Sequence, residues 1–115
     1  MTYVDGIIAP VPSENKEAYI AHARRAAAIF KKHGALSLTE CWGDDVPDGK
    51  TNSMKTAVLL KPGETVALSW IMWPSKEARD AGMAKVMEDP DMAKEEMPFD
   101  GSRLIYGGFD VALEA

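Results

Sequence analysis

Cysteine is nearly absent: Cys41 stands alone among 115 residues. One thiol cannot close an internal disulfide, and a thiolate metal cage needs more of them. A lone thiol suits a reducing compartment, so a cytoplasmic location is expected. Histidine is scarce too, with only His22 and His33. On one helix they would lie about 20° apart in rotation but roughly 16 Å apart in rise. One chain cannot bring both to a single ion, and no metal site is expected. No apolar run approaches the roughly 20 residues that a bilayer crossing demands. Residues Met1 to Asp5 lack the basic stretch and apolar core of a signal peptide, so no membrane partner is expected. Positive charge is in short supply, with 13 Lys and Arg against 18 Asp and Glu and a net charge of −5. That field repels a phosphate backbone and argues against nucleic acid as a partner. No phosphate-cradling glycine loop, dinucleotide fingerprint, nucleophile elbow or zinc-ligand spacing occurs, and no cofactor is expected.

What is present is a folding pattern. The hydrophobic share of 46% is that of a globular chain, and residues 1–115 are read as a single domain. Tyr3 to Ala9 has strand character, and Pro10 and Pro12 are expected to end its ladder. Ser13 is expected to cap a helix over Glu14 to His33. Its residues Tyr19, Ala23, Ala26, Ala27 and Phe30 share one arc at 100° per residue, and Gly34 stops it. Ala35 to Trp42 reads as a second strand. The stretch from Asp44 to Lys50 is turn-rich, and 53–60 fits a short helix or a short strand equally. Thr65 to Trp73 is a strong apolar strand. Pro74 and Ser75 then repeat the Pro12-Ser13 joint and lead into a helix over Lys76 to Glu88. Asp89-Pro90 breaks that helix, Asp91 to Glu96 adds a short turn, and Arg103 to Val111 is the last strand.

The order β-α-β, loop, β-α-β predicts an α+β fold: a ferredoxin-like βαββαβ sandwich with helices on one face of a four-stranded antiparallel sheet. Leu36, Leu38, Trp42, Leu68, Trp70, Ile71, Ile105 and Phe109 are too many to lie under two helices. The second sheet face must therefore be partly apolar, which predicts a homodimer packed sheet against sheet.

Several segments carry a family resemblance. They are Tyr3-Val4-Asp5-Gly6, Pro10-Val11-Pro12, Glu40-Cys41 with Asp44-Asp45-Val46-Pro47, Ser69-Trp70-Ile71 with Trp73-Pro74-Ser75, and Met97-Pro98-Phe99-Asp100-Gly101 leading to Arg103-Leu104-Ile105-Tyr106-Gly107-Gly108-Phe109. Together they resemble the YbaA-like family of small bacterial proteins, which has no assigned function. The resemblance spans nearly the whole chain. It implies the dimeric α/β barrel fold and carries over no catalytic residue, so the catalytic residues stay unknown. Cofactor-independent monooxygenases and small-molecule isomerases share that superfamily, so the analogy leaves open whether the chain is an enzyme.

Five residues are candidates for ligand binding: Asp5, Glu40, Trp70, Arg103 and Tyr106. Asp5 and Glu40 are carboxylates within apolar strands, where desolvation can make an acid or base. The alternative is a rim carboxylate paired with a cation such as Arg103. Whether the two share a face depends on strand register. Trp70 and Tyr106 combine an aromatic body with a polar handle. Arg103 could clamp an anion or pair with Asp100 or Glu40. Cys41 is a poor nucleophile candidate, because its neighbour Glu40 would point to the opposite face and raise its pKa. The expected function is a homodimer that binds a small apolar or aromatic molecule, in a cavity between sheet and helices or at the dimer interior. A monooxygenase-like or isomerase-like enzyme and a structural or partner-binding module are the alternatives.

Overall fold

The computed structural model describes residues 2–115. Four strands form one antiparallel sheet: β1 (Tyr3–Pro12), β2 (Ser37–Trp42), β3 (Glu64–Trp73) and β4 (Ile105–Asp110). Their order across the sheet is β2-β3-β1-β4, so the fold is α+β with the two long strands at the centre. Helix α1 (Lys16–Lys32) follows β1, and α3 (Lys76–Glu88) follows β3. Two short helices complete the chain: α2 (Met54–Ala57) before β3 and α4 (Pro90–Ala93) after α3.

Several boundaries differ from expectation for local reasons. Strand β1 does not stop at Pro10. It continues to Pro12, pairing Pro10 with Val66 and Pro12 with Glu64, whereas its pairing with β4 ends at Ile8. Past Ile8 one edge of β1 has no partner strand, and a proline is tolerated on an uncovered edge. Ser13 does not cap α1. It opens a 3-10 turn, its hydroxyl bonds Thr65 Oγ1 at 2.6 Å, and the helix proper begins at Lys16. Ser75 does cap α3, accepting from the Ala78 amide at 3.1 Å. The 53–60 segment resolves as a helical turn, because Ser53 and Thr56 close a reciprocal capping box. Arg103 belongs to a 3-10 turn over Gly101–Arg103, not to β4. Gly34 ends α1 with φ +109°, a conformation that side chains resist.

Strand alternation divides the apolar residues between two faces. Under the helices lie Tyr3, Ala9 and Val11 of β1, Leu38 and Trp42 of β2, and Ala67, Ile71 and Trp73 of β3. Trp73 is fully buried, and Phe30 of α1 meets it edge-on at 6.2 Å. The opposite face carries Val4, Ile8, Leu68, Trp70, Met72, Ile105 and Phe109. Phe109 is 58% exposed there.

Close approach of α3 to the sheet requires Gly82. A Cβ there would lie 2.5 Å from the His33 carbonyl oxygen and closer still to the Trp73 ring, both within the packed core. Gly82→Ala is therefore expected to destabilise the fold by about 1–3 kcal/mol through overpacking. The roughly 1 kcal/mol that alanine adds to a helix interior opposes this. A urea titration in which the Gly82→Ala variant is as stable as the parent would contradict this packing.

Candidate functional site

Between the sheet and the helices lies a cavity of about 520 Å³. Its floor includes Ile7, Ala9, Leu38, Ser69 and Ile71; its roof includes Tyr19, Ala23, Ala26 and Phe30 of α1. The hollow follows from residue size. Tyr19, Ala23, Ala26 and Phe30 recur at helical spacing along one face, and the two middle positions hold only methyl groups. Met83, Met87, Met92 and Met97 form much of the remaining wall. Unbranched thioether side chains adapt to irregular space. The volume falls in the usual range for small-molecule sites, which are largely apolar with a few placed polar groups.

One polar group is built around Asp5. Its carboxylate is buried and accepts from Trp73 Nε1 at 3.0 Å and from Arg79 Nε and Nη2 at 3.1 and 2.9 Å. Arg79 reaches it across the Tyr3 ring, 5.2 Å from the centroid, and its remaining nitrogen bonds Asp80 at 2.8 Å. These hydrogen bonds, those to Asp5 first, hold the guanidinium protonated well above its ordinary range. Gly108 makes room, because a Cβ there would run into both the Tyr3 hydroxyl and Arg79 Nη2.

The other polar group joins α1 to β2. Tyr19 Oη donates to Glu40 Oε1 at 2.6 Å. Burial raises the Glu40 pKa above the ordinary carboxylate range, opposed by hydrogen bonds from Tyr19 and Ser69. Burial, and then the bond to Glu40, push the Tyr19 phenol upward. The Tyr19 ring is itself held by Phe99 and Trp42, at centroid distances of 5.7 and 6.0 Å.

The register answers the question left by the sequence. Glu40 pairs with Ser69, Ser69 with Ile7, and Asp5 with Ile71, so both carboxylates face the helices and both line the cavity. Tyr106, opposite Ile7 on the edge strand, stands at the rim and is 78% exposed. Trp70 pairs with Gly6 and Thr39 on the opposite face of the sheet, away from the cavity. Arg103 is also elsewhere. Its fork holds both Glu64 oxygens at 2.6 and 2.7 Å, and it reaches Asp100 at 3.0 Å and the Leu59 carbonyl at 3.0 Å. It pairs with neither Glu40 nor Asp5; the cation beside Asp5 is Arg79.

Tyr19 and Arg79 were missed as site residues, and each had a signal. Tyr19 sits within the apolar arc of α1, where a phenol needs a partner. Arg79, Met83 and Val86 recur at helical spacing, which places a cation on the inward stripe of α3. The histidines do structural work. His22 Nδ1 meets Glu95 at 2.9 Å and His33 Nε2 meets Asp89 at 2.7 Å, tying α4 and the segment after it to α1. The His33 hydrogen bond, helped by the Asp91 amide and Lys32, brings Asp89 down to about 2. Among the described residues no three His, Cys, Asp or Glu side chains are grouped to hold a metal ion.

Comparison with known sequences matches residues 2–101 to a family described as protein of unknown function (DUF1428). Relatives described as "Uncharacterized protein YbaA" occur in Escherichia coli strain K12 and in Shigella flexneri. Each is 50% identical over 116 residues, covering 99% of this chain and 99% of the relative.

The Glu40 environment makes stability depend on pH. Its folded pKa exceeds its unfolded one. Between the two values the folded state binds more protons, so stability falls as pH rises. Glu40→Gln removes that decline. Melting temperatures from pH 4 to 8 should show the variant gaining on the parent as pH increases; a constant or shrinking difference would contradict the assignment.

Proposed function

The chain belongs to the DUF1428 family of unknown function, and we propose that it is a cytoplasmic homodimer that takes a small, mainly apolar molecule into the chamber between its sheet and helices. The observation that carries the reading is the chamber itself. It is about 520 Å³, walled by aliphatic, aromatic and methionine side chains, with two separate polar groups in its wall. Both are fixed by hydrogen bonds before any ligand arrives, which lowers the ordering cost of binding. The lone Cys41 thiol supports the cytoplasm.

Dimerisation is supported by the second sheet face. Val4, Ile8, Leu68, Trp70 and Met72 occupy its centre, and Ile105 and Phe109 its exposed flank. Ile105 and Phe109 are exposed, and the other five are half-buried. A contiguous apolar sheet face of this kind marks an interaction surface. Two copies related by a dyad would pack sheet on sheet, in the manner of a dimeric α/β barrel built from ferredoxin-like halves. Helix faces and chambers would then lie on the outside of the pair, one in each subunit. Trp70, set among these residues, is here an interface residue.

Two measurements test the reading. The neutral probe 1-naphthylmethanol should raise the melting temperature of the parent; a ligand at a hundred times its Kd stabilises by about 2.7 kcal/mol. Ala23→Phe, which fills the space between α1 and the sheet, should abolish that shift without unfolding the chain. An equal shift in the filled variant, or none in the parent, counts against the chamber. Separately, sedimentation velocity should give a dimer for the parent and a monomer for Trp70→Glu.

A further inference from the structure

Five carboxylates among the described residues are withdrawn from solvent: Asp5, Glu40, Glu64, Asp89 and Glu95. Four have a cation in hydrogen-bond contact. Asp5 has Arg79 at 2.9 Å, Glu64 has Arg103 at 2.6 Å, Asp89 has His33 at 2.7 Å with Lys32 at 3.2 Å, and Glu95 has Arg25 at 2.9 Å. Among the described residues Glu40 has none. Its hydrogen-bond partner is the neutral hydroxyl of Tyr19. Lys16, one turn before Tyr19 on α1, lies over the Trp42 ring at 5.6 Å from its centroid instead. Arg79, the guanidinium in the chamber wall, is saturated by Asp5 and Asp80.

We propose that the chamber selects molecules carrying one basic nitrogen on an apolar body, with the ammonium seated against the Glu40 carboxylate. This rests on the chamber reading above and adds the chemical class of the ligand. A carboxylate facing apolar surroundings without a counter-charge is a standing electrostatic cost. A ligand ammonium removes that cost, whereas a ligand carboxylate adds to it. The geometry suits the task. The Tyr19 hydroxyl holds Oε1 from the α1 side and fixes the carboxylate without neutralising it. The ring that positions Glu40 packs against Phe99 and Trp42. Charge discrimination of this kind is a polar group's usual contribution in an otherwise apolar site.

The test compares 1-naphthylmethylamine, protonated at pH 7.5, with its near-isostere 1-naphthylmethanol by titration calorimetry on the full chain. The parent should bind the amine at least tenfold more tightly than the alcohol. Glu40→Gln should lose that preference, its affinity for the amine falling to its affinity for the alcohol. Glu40→Met, which replaces the carboxylate with an apolar side chain of similar length, should lose the preference too, and serves if the Gln variant folds poorly. Equal affinity for the two compounds in the parent overturns the proposal and leaves the chamber intact. So does an amine preference that survives in Glu40→Gln, since it would come from the net acidic charge of the chain. If the parent binds neither compound, the chamber reading itself fails, and this inference with it.

Discussion

A carboxylate on the central strand of the sheet constrains everything built above it. Asp5 faces the core, where an unpaired charge is untenable. The structure meets the demand with Trp73 from the neighbouring strand and Arg79 from α3. That second contact anchors α3 over the sheet, at a height set by the Gly82 backbone against the Trp73 ring. Breaking such a pair from one side exposes a buried charge to apolar surroundings, a loss of roughly 3–5 kcal/mol. Asp5 is thus chiefly architectural: it fixes one wall of the chamber and is itself saturated.

The other walls are held by different means. Helix α1 rests on the sheet through Tyr19 and Phe30, with alanines between them. The segment after α3 is tied back to α1 by His22 and His33 through Glu95 and Asp89. These ties hold α1 and the segment after α3 together and leave the space beneath α1 unfilled. An interior of this kind departs from close packing, which ordinarily leaves few voids larger than a water molecule. The two carboxylates in the chamber wall therefore have contrasting roles. Asp5 is neutralised by the chain, and Glu40 is held in place with its charge uncompensated.

Much of the fold was legible. Helices α1 and α3, the long strand β3 and the α+β class follow from periodicity and from the Pro-Ser joints. The excess of apolar strand residues pointed to a second greasy face, which the register places around Trp70. The local errors share a cause: a neighbour outside the local pattern decided the outcome. Ser13 turns to Thr65 instead of capping, Pro10 survives in a strand whose far edge is empty, and Arg103 is drawn from β4 into the Glu64 and Asp100 cluster. The site was half legible. Asp5 and Glu40 stood out as charges in apolar strands, and only pairing register could show that they share a chamber. Their partners Tyr19 and Arg79 lie on helices distant in sequence. That contact depends on tertiary geometry, which residue spacing does not encode.

The proposed function requires the volume under α1 to be a formed, ligand-accessible space and not slack to be taken up by the methionines. Xenon enters apolar voids of this kind and is visible to X-rays. A crystal structure of the protein under xenon pressure distinguishes the two. Xenon should lie between Ala23, Ile71 and Met83, with Tyr19 and Glu40 still joined. A solid interior with the methionine side chains folded into that volume, and no xenon there, would contradict it.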